Sequence, residues 1–299
     1  MLGSIKRKIV NYACRCALED VDKIKLLHGK LLSNNIVYNN LPMAKSEFSV
    51  FSQFGDDGLI QWLINNLDIP NATFIEFGVE NYSESNTRFL LMNNNWSGYI
   101  LDASLEHINE IKKSYYYWKY DLVAKCAFVD AENINNLISN SQFDENVGLL
   151  HIDIDGIDYY IWEAIQRISP IITIVEYNSV FGADRPIVVP YAAGYNRTTA
   201  HYSNLYAGSS LKALCLLASS KGYAFVGSNS AGNNAYFIRN DKVNKNIIVR
   251  SVGDGYVSSK FRESRGQDGR LTFLRGEDRE HEIRGLPVMN VVTGNIEKL

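Results

Sequence analysis

The sequence predicts an α/β fold in which a doubly wound, mainly parallel sheet is covered by helices on both faces. Between residues 48 and 240, short apolar segments typical of strands alternate with amphipathic segments typical of helices. The strand segments are apolar almost throughout, as expected of strands buried on both faces. Several of them end in an acidic residue or a polar loop, and the carboxyl ends of the strands are where an open α/β sheet binds its ligands.

The predicted elements follow one another in a regular order along the chain. Helices are predicted at residues 56–67, 85–93, 105–117, 134–139, 159–168 and 211–221. Strands are predicted at residues 72–77, 98–101, 124–129, 147–154, 171–177, 223–226 and 235–238. Because strands alternate with helices rather than following one another, the sheet is expected to be parallel.

The segment before this region, residues 1–45, is expected to form one or two amphipathic helices and an Asn-rich linker at residues 33–40. Its apolar positions at helical spacing are Ile9, Tyr12, Cys16, Val21, Ile24, Leu27 and Leu31. Basic residues nearby would suit a membrane surface, but three acidic residues at positions 19, 20 and 22 offset their charge. Packing on the main domain or on a partner subunit is therefore favoured, and a homo-oligomer formed through these helices is one expected assembly.

Residues 46–240 are predicted to form the main domain and residues 241–299 a C-terminal appendage. The appendage is punctuated by glycines and rich in both charges between residues 260 and 284. Two interpretations stay open for it. It is either a solvated extension or a flap whose arginines meet an anionic substrate.

Composition excludes several classes of protein. The 30 Lys and Arg residues against 33 Asp and Glu residues give a net charge of −3, which disfavours general nucleic-acid binding. Cysteines at positions 14, 16, 126 and 215 form no CxxC pair, so a disulfide framework and a zinc site are not expected. No apolar run is long enough for a membrane span. The expected location is the cytoplasm, with peripheral binding at the inner membrane face as the alternative.

Acidic residues end the first three predicted strands. Glu76 ends the first, with Gly78 allowing a tight turn after it, and Asp102 ends the second, 26 residues later, where an acidic side chain can bind ribose hydroxyls. Asp130 ends the third, where an adenine amino group would lie. Three carboxylates without a GxGxxG phosphate loop suit a nucleoside that lacks phosphates and carries a positive charge, as S-adenosylmethionine does. The alternative is that these acids cap helices.

The fourth strand motif, HIDIDG, carries the strongest local signal. His151, Asp153 and Asp155 would share one face of a strand, since side chains alternate. The next strand brings Glu176 and Asn178 to the same edge. Asp153, Asp155, Glu176 and Asn178 are oxygen donors of the kind that Mg²⁺ or Mn²⁺ takes. The alternative is a hydrogen-bonded carboxylate network around a turn.

A polar loop at residues 194–210 is rich in Tyr, Asn, Ser and Thr, a composition that binds sugars through hydroxyl contacts and stacking. His201 in this loop has the unperturbed pKa of a general base for a hydroxyl nucleophile. Asp155 is the competing candidate for that catalytic role, because its strand end points at the same cleft. A structural histidine in an ordered surface loop is the other interpretation.

Four segments together resemble a known family. SQFGDDGLI, FIEFGVENYSESNTRFLLMNNNWSGYILDAS, HIDIDGIDYYIWEAI and IVEYNSVFG are similar to the FkbM-like group of class I S-adenosylmethionine-dependent methyltransferases, over roughly residues 46–240. The resemblance implies a Rossmann-like sheet and an enzyme that methylates a hydroxyl of a sugar in a bacterial surface glycan or polysaccharide precursor. A non-catalytic nucleotide- or sugar-binding protein, or another nucleotide-sugar-modifying enzyme, is the alternative; the missing GxGxxG argues against a dehydrogenase.

The resemblance also implies roles for single residues. It puts Glu76 and Gly78 at the methionine part of the cofactor, Asp102 on the ribose, and Asp153 or Asp155 near the methyl group. Three further contacts are implied, namely Asp130 and Ala131 beside the adenine and Gln53 at the carboxylate end of the cofactor. The chain departs from the family in having Tyr82 where a small residue is common. Its DIDG motif in place of D-x-E-G is similar to metal-assisted sugar O-methyltransferases of the macrocin type.

Overall fold

The computed structural model describes residues 2–143 and 145–299, and side chains from residue 17 onwards within these ranges. The strands are β1 (Thr73–Phe77), β2 (Ser97–Asp102), β3 (Leu122–Cys126), β4 (Leu149–Ile152), β5 (Ile172–Glu176), β6 (Ile187–Val188), β7 (Tyr223–Ser228), β8 (Asn234–Arg239), β9 (Pro287–Asn290) and β10 (Ile296–Lys298). The helices are α1 (Leu2–Tyr38), α2 (Asp56–Asn66), α3 (Arg88–Asn94), α4 (Leu105–Lys113), α5 (Tyr115–Lys119), α6 (Ile134–Ser139), α7 (Asp158–Ala164), α8 (Arg197–Ala200), α9 (Leu211–Ser220), α10 (Val252–Gly255) and α11 (Glu277–Ile283).

Seven strands form one sheet in the order β3-β2-β1-β4-β5-β8-β7. Strands β1 to β5 are parallel, while β8 runs antiparallel to both β5 and β7. The chain order reverses between β1 and β4, which makes this the switch point where such sheets open a cleft. The predicted α/β class and doubly wound sheet are confirmed.

Both faces of this sheet are buried under helices. One hydrophobic cluster joins Leu63 of α2 and Leu91 of α3 to Ile100 of β2. A second cluster joins Trp162 of α7 and Leu214 of α9 to the other face. This two-sided burial explains why the strand segments are apolar at consecutive positions rather than at alternating ones.

Some predicted bounds are wrong. The predicted linker at residues 33–40 is helical as far as Tyr38, because Ile36 is buried and the Ser33 hydroxyl bonds Gln61 at 3.4 Å. Tertiary contacts there override the weak helix propensity of asparagine. The third strand ends at Cys126, three residues earlier than predicted, so Asp130 lies in the following loop. The helix predicted at residues 105–117 is interrupted at Ser114 and forms α4 and α5.

Helix α1 packs on the helices that cover the main sheet, through a face that combines polar, small and apolar residues. The Asp22 carboxylate pairs with the buried Arg88 guanidinium, which is stacked 4.1 Å and 4.6 Å from the ring centroids of Phe51 and Tyr116. Gly29 packs so closely that a Cβ there would lie 2.5 Å from the ring of Phe89. The helix therefore docks mainly through polar and small residues, with Ile36 buried and Leu26 partly buried in the same contact.

The apolar positions predicted to bury this helix on the main domain lie on its exposed side instead. Val21, Ile24, Leu27 and Leu31 are 48–66% exposed, so these positions do not pack on the main domain, and packing on a partner subunit stays a prediction. The side chains of Ile9, Tyr12 and Cys16 lie outside the described residues. Within the described ranges, the structure contains no helix that is both long and apolar enough to cross a membrane.

The C-terminal residues build a second, smaller sheet. Strands β10, β9 and β6 are antiparallel neighbours in that order, so β9 pairs with a strand that precedes α8. Ile283 and Val288 share a hydrophobic cluster with Ile187 and Leu205. Residues 257–263 of the same C-terminal part run to the mouth of the cleft described next.

Candidate active site

A cavity of about 450 Å³ opens at the carboxyl ends of β1, β2, β4 and β5. Residues from these four strand ends form its floor and walls, as the positions of the acidic residues predicted. Gln53, implied by the family resemblance, lines the cavity, and so do Glu76, Gly78, Asp102, Asp153 and Asp155.

The Glu76 carboxylate accepts hydrogen bonds from the loop between β1 and α3 and from His151 of β4. Its carboxylate accepts hydrogen bonds from the hydroxyls of Ser85 (2.6 Å) and Thr87. The Asn86 backbone N–H donates to it at 3.1 Å and His151 Nδ1 at 2.9 Å. Burial alone would raise the pKa of Glu76, but the His151 ring and the two hydroxyls outweigh it and lower that pKa. Glu76 therefore holds the loop between β1 and α3 in place.

Gly78 brings the ends of two strands into contact. Its φ is +75°, and a Cβ on it would lie 1.6 Å from the carbonyl oxygen of Asp153. No side chain fits there. Tyr82, at the position where the resemblance leads us to expect a small residue, is buried and bonds the Thr87 hydroxyl at 2.8 Å.

Asp102 ends β2 and faces the cavity with its carboxylate fixed from behind. The backbone N–H groups of Glu80 and Ser104 each donate to it at 2.8 Å, to different oxygens. These bonds set the orientation of the side chain, which keeps 11% of its surface exposed. Its contact to ribose hydroxyls stays a prediction.

Asp130 and Ala131 are not among the described residues that line the cavity. The Asp130 carboxylate accepts the N–H of Asn133 at 2.7 Å, just before α6 begins. The wall at this point is formed instead by residues 127–129. The earlier end of β3 explains the difference, because the chain turns away before it reaches position 130. The alternative that these acidic residues cap helices therefore matches the hydrogen bond of Asp130.

Three carboxylates converge at the ends of β4 and β5. Oxygens of Asp153, Asp155 and Glu176 all lie within 4.8 Å of one another. The prediction that His151, Asp153 and Asp155 share one face of a strand is wrong, because β4 ends at Ile152 and His151 turns to Glu76. The two aspartates meet Glu176 because the loop bends there, with Asp155 in a left-handed conformation at φ +59°.

The cluster is short of positive charge. Burial, and then the neighbouring Asp155 carboxylate, raise the pKa of Asp153 to about 7. Burial and Asp153 raise the pKa of Glu176 well above its usual range. Arg197 pairs with Asp155 at 2.9 Å and approaches Glu263 at 3.6 Å. A proton or a cation between these oxygens would relieve their repulsion.

Asn178, the fourth predicted metal ligand, is used elsewhere. Its Nδ2 donates to the carbonyl oxygens of Leu205 (2.8 Å) and Ala207 (2.9 Å). Its Oδ1 accepts the N–H of Val180 at 3.0 Å. Asn178 therefore ties the loop after β5 to residues 205–207, and both polar atoms of its side chain are engaged in doing so.

His201 is not among the described residues that line the cavity. Its Nδ1 lies 2.8 Å from the Ser203 hydroxyl, and its ring packs on Tyr202 with centroids 4.2 Å apart. Burial lowers the pKa of His201. The structure thus separates this histidine from Asp155, the competing candidate base, which does line the cavity.

Sequence reasoning missed four residues at the cavity mouth. Phe54 and Phe261 stack with ring centroids 5.9 Å apart and planes 21° from parallel. Glu263 and Tyr195 complete this edge. Phe54 directly follows Gln53 in the SQFG segment, so the predicted cofactor contact of Gln53 could have indicated that Phe54 also lies at the cavity. Phe261 and Glu263 come from the C-terminal part, whose sequence gave no sign of where it packs.

Comparisons with known proteins give a likeness at the level of the fold. No family model matches the chain, and no curated protein matches it significantly. The O-methyltransferase from Bacillus cereus in complex with SAH is similar over 72% of this chain and 89% of its own, with 15% identity and a TM-score of 0.41. A S-adenosylmethionine-dependent methyltransferase from Clostridium acetobutylicum is similar over 61% and 89%, with 10% identity and a TM-score of 0.39. The pyocyanin biosynthetic protein PhzM is similar over 60% of this chain, with 10% identity and a TM-score of 0.36, and the match spans 56% of PhzM.

Proposed function

We propose that this protein is an S-adenosylmethionine-dependent O-methyltransferase that acts on a hydroxyl of a sugar or surface-glycan precursor, with a divalent cation assisting. The observation that carries the proposal is the charge of the cleft. Nine carboxylate side chains line it, at the switch point of a doubly wound sheet. Such a field favours a ligand with a positive centre and disfavours a phosphorylated one.

The cavity residues suit the parts of S-adenosylmethionine. Asp102 would hold the ribose hydroxyls, and the wall at residues 127–129 would lie beside the adenine. Gln53 would contact the methionine end. When bound there, S-adenosylmethionine supplies an electrophilic methyl group on a positively charged sulfur.

A dinucleotide fits the cavity less well. Among the described residues that line it, Arg197 is the single Lys or Arg, and it is already paired with Asp155 and Glu263. A pyrophosphate would therefore meet carboxylates without a free counter-charge. This favours a methyltransferase over a nucleotide-dependent dehydrogenase.

The three converging carboxylates suit a hard divalent cation. Asp153, Asp155 and Glu176 offer oxygens at mutual distances that one ion can bridge, and their raised pKa values reflect repulsion that a cation would remove. A cation at this position would lower the pKa of a nearby hydroxyl group. Mg²⁺ and Mn²⁺ are the expected ions.

Asp155 is proposed to accept the proton of the acceptor hydroxyl. Its side chain is 54% exposed in the cavity, whereas Asp153 and Glu176 lie deeper. Burial, and then the Glu263 carboxylate, raise the pKa of Asp155 against the opposing effect of Arg197, so Asp155 is more basic than an isolated aspartate. Methyl transfer is an in-line displacement, so the rest of the site acts mainly by holding donor and acceptor in line.

The cavity mouth suits a sugar. The stacked rings of Phe54 and Phe261, with Tyr195 nearby, offer the aromatic surface on which the apolar face of a pyranose packs. The polar loop that contains Tyr195 and Arg197 supplies the hydrogen-bonding groups around it.

Calorimetry tests the cofactor assignment directly. S-adenosylhomocysteine should bind with micromolar affinity, while NAD and UDP-glucose should not bind at that level. Asp102→Ala should weaken binding at least tenfold, about 1.4 kcal/mol. Absence of S-adenosylhomocysteine binding by the unaltered protein would end the methyltransferase proposal. Binding without methyl transfer to any sugar tested would favour a non-catalytic binding protein.

A further inference from the structure

Helix α1 presents an apolar face that no described part of the chain covers. Seven large side chains on it are between 44% and 89% exposed: Leu18, Val21, Ile24, Leu27, Leu31, Leu32 and Tyr38. Single exposed apolar residues are ordinary, but this many along one side of one helix indicate an interaction surface.

The exposed face follows a heptad pattern. Its central line is spaced alternately by four and three positions, through Ala17, Val21, Ile24, His28, Leu31, Asn35 and Tyr38. Val21, His28 and Asn35 then occupy a positions, while Ile24 and Leu31 occupy d positions. This is the repeat by which two α-helices supercoil around each other.

The main domain leaves that line free. The residues by which α1 docks on the domain are Asp22, Leu26, Gly29, Ser33 and Ile36. In the same heptads these are b and f positions, on the opposite side of the helix from a and d. Between residues 17 and 38, one face of the helix is used for the domain and the other is exposed.

We propose that two copies of this chain pair through residues 17–38 of α1 as a parallel two-stranded coiled coil. The 22-residue segment covers about three heptads and is about 33 Å long. This inference concerns assembly and is independent of the proposed catalytic activity.

Charge at the flanks of the line selects the parallel orientation. In a parallel pair, a residue at g faces the residue five positions later on the second copy, at e. Asp20 at g then faces Lys25 at e, and Leu27 at g faces Leu32 at e. In an antiparallel pair, g positions face g positions and e positions face e positions, so full overlap would set Asp20 against Asn34 and Lys25 against the Lys25 of the second copy. Both arrangements bring leucines together, but the parallel one sets Asp20 against an opposite charge where the antiparallel one sets two lysines together.

A membrane surface is a poorer occupant of this face. Residues 17–38 carry Lys23, Lys25 and Lys30 against Glu19, Asp20 and Asp22, so this segment offers no net positive charge to anionic lipid. His28 and Asn35 lie in the middle of the apolar face. A polar residue at an a position fixes register and strand number in a coiled coil, whereas the same residue is costly against acyl chains.

Light scattering with size exclusion tests the pairing on the full-length chain. The protein should elute at twice its 33.8 kDa chain mass at micromolar concentration. Ile24→Glu and Leu31→Glu should each give the monomer. Lys30→Glu is the matched control, because Lys30 is exposed on the same helix at a c position and should leave the dimer intact. Circular dichroism checks that the variants stay folded.

Cysteine crosslinking tests the orientation. In a background where Cys14, Cys16 and Cys126 are serine, Leu31→Cys should form an intermolecular disulfide on mild oxidation, because equal positions meet across a parallel axis. Lys30→Cys should not. A monomer at 50 µM, a trimer, or equal crosslinking at both positions would overturn the proposal. So would a monomer that floats with phosphatidylglycerol vesicles, which would assign the face to a membrane.

Discussion

Two groups of acidic side chains lie at the same edge of the sheet and behave in opposite ways. Glu76 at the end of β1 is surrounded by hydrogen-bond donors, and its pKa is lowered. Asp153 and Glu176 at the ends of β4 and β5 face other carboxylates, and their pKa values are raised. Hydrogen-bond donors stabilise the charged form of Glu76, whereas Asp153 and Glu176 repel each other when both are charged.

The difference separates a carboxylate that holds a loop in place from those that we propose to act in the reaction. A buried anion that is fully hydrogen-bonded contributes to stability, whereas buried carboxylates that repel one another do not and are found where a ligand relieves the repulsion. The strand-end position is the same in both cases. What differs is the number of N–H and O–H donors that the neighbouring loops supply.

Glu76→Gln should have the largest effect on folding. The change removes the charge that His151 and two hydroxyls surround, and breaking such a buried pair costs about 3 kcal/mol or more in the free energy of unfolding. Urea denaturation followed by circular dichroism measures it. Asp153→Asn is the control at the other group. If both substitutions lower the stability equally, the contrast between the two groups does not hold.

Asp153→Asn and Asp155→Asn should reduce methyl transfer far more than they reduce stability. We expect kcat to fall roughly 100-fold for Asp155→Asn, since a positioned base contributes about that factor. It should also fall for Asp153→Asn, which would remove a ligand of the proposed cation. The affinity for S-adenosylhomocysteine should change less than threefold. Initial rates and calorimetry on the same preparations separate the two quantities. Wild-type kcat in both variants would remove the cluster from the reaction.

Stabilisation by Mn²⁺ should grow with pH. The folded pKa of Asp153 is about 7, above its unfolded value of 3.8, so its contribution to stability is complete below the unfolded value and is lost as the pH rises through about 7. A bound cation would compensate for the lost stability by neutralising the charged carboxylate. The shift in melting temperature on adding Mn²⁺ should therefore be small at pH 5 and larger at pH 8. EDTA should abolish the shift, and in excess it should reduce activity. A shift that is equal at both pH values, or full activity in EDTA, would leave the cluster as a proton-sharing network.

His201→Ala should have the smallest effect. Because His201 bonds Ser203 and lies outside the described cavity wall, the variant should keep more than a third of the wild-type kcat. The pH–rate profile should also keep its acid limb. A loss of 100-fold with unchanged cofactor affinity would instead restore His201 as the base and place the polar loop nearer to the acceptor than the structure has it.

Local patterns in the sequence were enough for the fold class and for the edge of the sheet that carries the site. Apolar segments of strand length alternating with amphipathic ones require a covered parallel sheet, and the acidic residues at their ends then meet at one cleft. Local patterns do not determine the bounds of a strand, because a strand ends where its neighbour stops pairing. This is why Asp130 was expected in the cavity and lies outside it.

The tertiary structure alone decided which polar side chains at this edge of the sheet are already engaged in hydrogen bonds. Glu76 takes its partners from residues up to 75 positions away, and Asn178 takes its partners 27 and 29 positions away, so no local pattern could show that both are engaged. The same holds for α1. Its apolar positions have the helical spacing of a buried face. The pairing of Asp22 with Arg88, 66 positions later, nevertheless orients that face away from the domain. Sequence periodicity tells how side chains are distributed around an element, whereas the side that faces the core depends on contacts between distant parts of the chain.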